Sequence, residues 1–284
     1  MSQTSALPPA PAPGLPFDPR LRAALASAPS LHGLFCGLPL PALVEMAAFA
    51  GFDFVVIDNE HGMASYETTE HLLRAARASG ILPIVRCFES DIARVLDAGA
   101  SGIKVPMVQT PEQAQRLVER VRYPRPPGQA GQRGLRGSAF STRAAGYGRF
   151  GGPAHTDRSN ESIGLIAMLE TPQAIAAAAE IASIEGVDGV FIGPNDLAHA
   201  MGHENRWQDA PVQKAIERGL RAIADADKCP GVLALDGASR QKYADWGARY
   251  FANVATNLIL RAFEQTVSGQ PEASAAPPVG GQSC

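Results

Sequence analysis

The stretch Ile163–Asp196, IGLIAMLETPQAIAAAAEIASIEGVDGVFIGPND, decides the fold. Ile163–Leu169 is a short, nearly continuous apolar run, the pattern of a strand buried on both faces. Thr171-Pro172 then opens a helix. The threonine can accept from free backbone N–H groups, and a proline at the first helical position gives up a donor that has no partner there. That helix is predicted over Pro172–Ile184, and Gly189–Gly193 is a second strand. Polar residues follow both strands at once: Glu170 after the first, Asn195 and Asp196 after the second.

The same rhythm recurs on either side. Further strands are predicted at Gly33–Gly37, Asp53–Asp58, Pro83–Cys87, Gly102–Pro106, Gly231–Leu235 and Tyr250–Val254, eight in all. The other helices are predicted at Pro41–Ala50, Tyr66–Ser79, Ser90–Ala98, Pro111–Arg122, Ala210–Asp227, Ala238–Trp246 and Asn257–Val267. Thr110-Pro111 repeats the threonine–proline start. Gly51, Gly80, Gly99 and Gly247 stop helices just before the next strand, with the residue best able to turn left-handed. Eight strands, each followed by a helix, predict one α/β domain, a (β/α)8 TIM barrel, over residues 17–267. The competing doubly wound sheet in its dinucleotide-binding form needs a glycine-rich fingerprint after the first strand, and Gly33–Gly37, GLFCG, is not one. Residues 1–16 and 268–284, rich in Pro, Ala, Ser and Gly, read as loose tails. Tyr123–Glu161 breaks the rhythm. It reads as an excursion over the barrel mouth or a subunit contact, in which Arg133, Arg136 or Arg143 can meet a substrate anion.

Composition excludes several classes of function. A net charge of −3 over 284 residues carries no basic excess for a nucleic acid or an anionic lipid. No run approaches the ~18 apolar residues of a membrane span. The four cysteines, Cys36, Cys87, Cys229 and Cys284, show no CxxC spacing, which suits reduced thiols and a cytoplasmic protein. Cys36 and Cys87 close strands and read as small buried side chains rather than nucleophiles.

Barrel enzymes carry their chemistry where strands end and the following loops begin. Strand two runs into Asp58-Asn59-Glu60-His61-Gly62, strand three ends in Arg86, strand five in Glu170, and strand six leads to Gly193-Pro194-Asn195-Asp196. Helix capping or a local ion pair explains such residues singly; as a set they converge on one rim. Glu170 and Asp196 offer hard oxygen ligands suited to Mg²⁺ or Mn²⁺, with positions left for a chelating 2-oxo acid. Arg86 can stabilise charge that grows on the substrate oxygen, and His61 is the rim imidazole suited to move protons near neutral pH. A Schiff-base mechanism needs a lysine instead. Of four lysines, Lys214, Lys228 and Lys242 fall in or beside helices, and Lys104 on strand four points inward without an evident partner. The metal reading ranks above it.

These motifs, with Val105-Pro106-Met107-Val108, Arg122-Tyr123-Pro124 and Glu185–Gly193, resemble the HpcH/HpaI family of metal-dependent (class II) pyruvate aldolases across about Gly33–Phe263. The resemblance implies a barrel of the phosphoenolpyruvate/pyruvate-binding type and an aldolase that cleaves or forms 4-hydroxy-2-oxo acids through a pyruvate enolate. It implies a Mg²⁺, Mn²⁺ or Co²⁺ cofactor held by Glu170 and Asp196, with Arg86 on the pyruvyl oxygens and His61 as acid/base. Asp97 matches the aspartate that pairs with this histidine. Backbone around Gly193, Asn195 and Asp196 receives the substrate carboxylate. Partners are then a small 2-oxo acid and an aldehyde, and the assembly a homo-oligomer, a hexamer whose barrels exchange their last helix. Two departures stand out: Met168 where the family commonly has glutamine, and the added residues 126–130. The same scaffold resembles citrate-forming enzymes of siderophore assembly, which use oxaloacetate and acetyl-CoA, and acyl-CoA lyases. A non-enzymatic barrel would have shed Glu170, Asp196 or Arg86, and all three are present.

Overall fold

Side chains alternate across a strand, so an apolar run with no polar face must bury both sides. The computed structural model describes residues 16–128 and 133–269. Its strands are β1 (Leu31–Cys36), β2 (Phe54–Asp58), β3 (Leu82–Arg86), β4 (Gly102–Val105), β5 (Gly164–Leu169), β6 (Gly189–Ile192), β7 (Cys229–Leu233) and β8 (Tyr250–Val254). All pair in parallel in sequence order, and β8 returns to β1 from Leu31↔Tyr250 to Phe35↔Val254, closing the barrel. Outward residues such as Val55, Ile57, Val85, Ile103 and Val190 pack beneath the helices. Phe54, Val56, Ile84, Ile166 and Phe191 fill the interior.

The helix boundaries have local causes. Thr110 and Thr171 accept from the N–H groups of Gln113 and Ala174, each with proline at the helix start. Ser65 caps the helix Tyr66–Ser79 in the same way. Gly51, Gly80, Gly99 and Gly247 adopt φ of +90°, +80°, +99° and +97°, as the helix–glycine–strand pattern requires. β7 begins two residues before its expected start, because Pro230 sits inside it. The missing N–H does no harm there, and the Pro230 carbonyl accepts from the Arg249 N–H.

Three helices carry no apolar signature long enough to read. Leu21–Ser27 buries Leu21 and Leu25 under the barrel. A Cβ on Gly102, the first residue of β4, would lie 2.2 Å from Leu21 Cδ2, and one on Gly164, which starts β5, would lie 3.0 Å away. This short helix therefore closes the end where the strands begin. Pro153–Ser162 buries polar residues, His155, Ser159 and Asn160, so hydrophobic periodicity does not reveal it. Pro194–Ala200 follows β6 and is only two turns long. The helix expected over Pro172–Ile184 is divided at Ala177 into Pro172–Ala176 and Ala178–Ser183.

The described residues of the Tyr123–Glu161 excursion pack away from the barrel mouth. Arg136 is buried over the Tyr123 ring and donates to Ser159 and to Asp97, and Arg143 donates to the Ala98 carbonyl. Asp97 and Ala98 precede β4, so the excursion packs at the closed end, and these two guanidinium groups serve the fold rather than a substrate anion at the mouth. The tails lie almost wholly outside the described residues, as do 129–132. Among the described residues no helix is long and apolar enough to cross a membrane. The last helix, Ala255–Ser268, buries Ala255 and leaves Leu260, Phe263 and Val267 56%, 63% and 89% exposed.

Candidate active site

The β2–β3 register sets Asp58 beside Arg86 at the ends of both strands. Arg86 Nε donates to Asp58 Oδ1 at 2.8 Å and Nη2 to Oδ2 at 2.6 Å, the two-point geometry a guanidinium makes with a carboxylate. Nη1 lies 3.0 Å from Glu60 Oε2, and all three side chains are about nine-tenths buried. Asp58 Oδ1 also accepts from the backbone N–H groups of Glu60 and His61, which fixes the loop that carries the histidine. Burial works against the charged form of Asp58, but the hydrogen bonds and charge of Arg86, with those two amides, hold its pKa below the ordinary value. Glu60 moves the other way: burial outweighs Arg86, and Asp58 and Asp196 add to the upward shift.

Glu170 follows β5 and is 2% exposed. Its Oε2 accepts from the Met107 N–H at 2.6 Å. Met107 holds φ +55°, a strained conformation for a residue with a side chain, and it turns that amide toward the carboxylate. Burial, reinforced by Asp196 and Glu60, pushes the Glu170 pKa up to about 7 against the lowering effects of Met107 and Arg86. Gly193 matters here for what it lacks. A Cβ would lie 2.7 Å from Glu170 Cγ and Oε1, whereas the Gly193 N–H is already spent on the Leu169 carbonyl. Asp196 stands in the first turn of Pro194–Ala200, exposed to the same space.

These groups meet in a cavity of about 460 Å³ at the open end. Asp58, His61, Arg86, Glu170, Asn195 and Asp196 all line it, and Phe35, Met168 and Phe191 supply apolar surface. His61 is 66% exposed, with Nε2 3.8 Å from Glu60 Oε2. Asp97 is the residue the single chain does not bring here. It ends the helix Ile92–Asp97 at the opposite end of the barrel, pairs with Arg136 at 2.9 Å, and lines a separate cavity of about 540 Å³ with His71 and Arg143. The expected pairing with His61 therefore does not form within one chain. Burial pushes the Cys36 and Cys87 thiols up to about 12, which agrees with inert core cysteines.

Among the described residues no group of three or more His, Cys, Asp and Glu side chains could hold a metal ion. A cation at Glu170 and Asp196 would thus have two carboxylates and fill its remaining positions from water or substrate, a donor set that fits Mg²⁺ or Mn²⁺ and not a closed zinc site. Positive charge there would also reverse the penalty that burial and neighbouring carboxylates place on Glu170. The residues fit the ion. Glu60 and Met107 were not assigned roles from sequence. Glu60 lay within a recognised motif, but nothing in residue type announces the left-handed backbone at Met107.

The shift at Glu170 has a signed consequence. A carboxyl whose folded pKa of about 7 exceeds its ordinary 4.5 stabilises the fold below about pH 4.5 and loses that contribution as pH rises through about 7. Protein kept in chelator should lose on the order of 3 kcal/mol from this group across that window. Glu170→Gln should flatten the loss. Urea denaturation at pH 5 and pH 8 checks it, and parallel pH profiles for wild type and variant would refute the assignment.

The comparisons with known proteins point one way. The profile of the HpcH/HpaI aldolase/citrate lyase family matches residues 31–260. A hydroxypyruvate/pyruvate aldolase of Delftia acidovorans is 39% identical over 250 residues, covering 87% of this chain and 90% of that protein. An HpcH/HpaI aldolase/citrate lyase family protein from Burkholderia cenocepacia J2315 superposes with a TM-score of 0.80 at 31% identity, over 88% of this chain and 98% of its own. The citrate synthase SbnG superposes at 0.75, also 31% identical, over 88% and 96%. With the matching profile spanning the whole barrel and the polar rim residues gathered in one cavity, this chain belongs to the HpcH/HpaI aldolase/citrate lyase family.

Proposed function

We propose that the chain is a divalent-metal-dependent aldolase, a carbon–carbon lyase that cleaves and forms 4-hydroxy-2-oxo acids through the enolate of pyruvate or hydroxypyruvate. The observation that carries this reading is the convergence of Glu170, Asp196 and the clamped Arg86 on one cavity at the strand ends. A Mg²⁺, Mn²⁺ or Co²⁺ ion held by Glu170 and Asp196 would supply Lewis acidity at the carbonyl of the 2-oxo acid.

The chain's own residues do the rest. Arg86 spends Nε and part of Nη2 on Asp58 and sets Nη1 3.0 Å from Glu60 Oε2, which leaves one N–H on each terminal nitrogen for the substrate's keto oxygen. Because that orientation is fixed before substrate arrives, it stabilises growing negative charge without reorganising. The backbone of Asn195 and Asp196, in the first turn of a helix, receives the carboxylate; Gly193 contributes by keeping the space beside Glu170 clear. His61 stands at the mouth, where it can move a proton between the substrate hydroxyl and solvent. Asp97 can orient it only from a neighbouring copy, since within one chain the two lie at opposite ends of the barrel. The uncovered apolar face of Ala255–Ser268 supports such a homo-oligomer.

The likeness to a citrate synthase sets the competing reading, with oxaloacetate and acetyl-CoA as substrates, and an acyl-CoA lyase is its near variant. Purified protein should cleave 4-hydroxy-2-oxo acids, lose activity in chelator and regain it with Mg²⁺, Mn²⁺ or Co²⁺. Full activity in chelator, or turnover confined to oxaloacetate with acetyl-CoA, would overturn the proposal. Arg86→Lys keeps a charge but loses the planar fork, so turnover should drop by roughly two orders of magnitude while metal affinity holds within a few-fold. If the lysine variant keeps most of its turnover, Arg86 has only a structural role. Mixing His61→Ala with Asp97→Asn subunits tests the contact between copies. Mixed oligomers should recover part of the lost activity, and no recovery would remove Asp97 from the site.

A further inference from the structure

Lys104 projects from β4 into the barrel beside Arg86 in the β3–β4 register, with no exposed surface. Its Nζ lies 3.3 Å from the centroid of the Phe191 ring, 4.4 Å from that of Phe35 and 4.8 Å from that of Tyr250. It has no hydrogen-bond partner among the described residues. Aromatic rings arranged in this way hold a cation through their negative faces. A buried lysine without a hydrogen bond is still costly, and an apolar side chain of similar length would occupy the space at less cost. Stability therefore does not explain it.

Its position relative to the site does. Phe35 and Phe191 line the cavity, and the Arg86 guanidinium carbon lies 4.9 Å from the centroid of the same Phe35 ring. Met168, inward on β5 two residues before Glu170, offers no polar group at this level. The charged and titratable groups around Lys104 are Arg86 from β3, Asp58 from β2, Glu170 after β5 and Tyr250 from β8. Burial first and Arg86 second push the lysine well below its ordinary pKa, and Glu170 and Asp58 pull against them. A negative charge arriving in the cavity would add to the pull of the carboxylates.

We propose that Lys104 is a positioning residue for the 2-oxo acid: from beneath the Phe35 and Phe191 rings it supplies the positive charge that balances the bound acid and its enolate, sharing the Phe35 ring with Arg86. The inference rests on the 2-oxo acid reading of the site.

Oxalate, a planar dianion with adjacent oxygens like those of the enolate, is the probe. It is titrated calorimetrically into Mg²⁺-loaded wild type, Lys104→Met and Lys104→Gln. The Mg²⁺-loaded wild type should bind oxalate. Both variants should bind oxalate about tenfold or more weakly, because a buried unit charge is lost at short range. Mg²⁺ should bind them as tightly as the wild type or more so, and Lys104→Met should melt no lower than wild type. Unchanged oxalate affinity in either variant overturns the role of Lys104 and leaves the aldolase reading intact. Failure of the Mg²⁺-loaded wild type to bind oxalate overturns both.

Discussion

The two-point contact between Arg86 and Asp58 is what the rest of the site hangs on. It exists because β2 and β3 pair in a register that sets the two residues side by side at the end of their strands. One partner alone would be a buried, unmatched charge, and breaking such pairs costs roughly 3–5 kcal/mol. Asp58 is held at four points, two from Arg86 and two from the amides of Glu60 and His61. The direction of the arginine, the position of Glu60 and the path of the histidine loop are thus one constraint, and none can shift without the others.

The barrel makes that constraint functional through an asymmetry between its ends. The helix Leu21–Ser27 packs Leu21 against glycines at the starts of β4 and β5, and the Tyr123–Glu161 excursion packs at the same end through Arg136 and Arg143. Closed below, the molecule opens at the other end onto the cavity lined by Asp58, Arg86 and Glu170. The two large features absent from a plain barrel both pack at the end opposite the rim cavity, which leaves the open rim to the short loops after β2, β5 and β6. Those loops gain precision from hydrogen bonds to strand ends, as at Glu170, where a strained Met107 backbone delivers the donor.

Most of this architecture was legible because it rests on local rules. Thr110 and Thr171 cap, Gly51, Gly80, Gly99 and Gly247 turn left-handed, and apolar runs become strands wherever tertiary packing agrees with them. Five rim residues, His61, Arg86, Glu170, Asn195 and Asp196, were legible from their place at strand ends, and the structure gathers them in one cavity. The rest depends on distance contacts that residue type does not encode. His155, Ser159 and Asn160 are buried on a helix without an apolar stripe, so its period is hidden. Asp97 precedes β4 rather than following it, a fact visible in the strand order that sets it at the opposite end from His61 within its own chain. The helix Pro194–Ala200 is too short for periodicity to separate it from a loop.

The carboxylates of the site divide into two environments, and the division assigns their work. Asp58 lies in the grip of Arg86 and two amides, so its charge is permanent at neutral pH and its function is to hold. Glu170 is as buried but receives one amide and faces Asp196, so its charge is conditional and is favoured when positive charge is brought to it. Environments that drive like groups apart in pKa mark separate roles. Here four carboxylates, Asp58, Glu60, Glu170 and Asp196, share one arginine at the rim. A site with that surplus repels an anionic 2-oxo acid until cations offset it. A divalent ion would do so at Glu170 and Asp196, at the rim; beneath the rings, Lys104 is placed to do so from the interior, where among the described residues no carboxylate hydrogen-bonds to it.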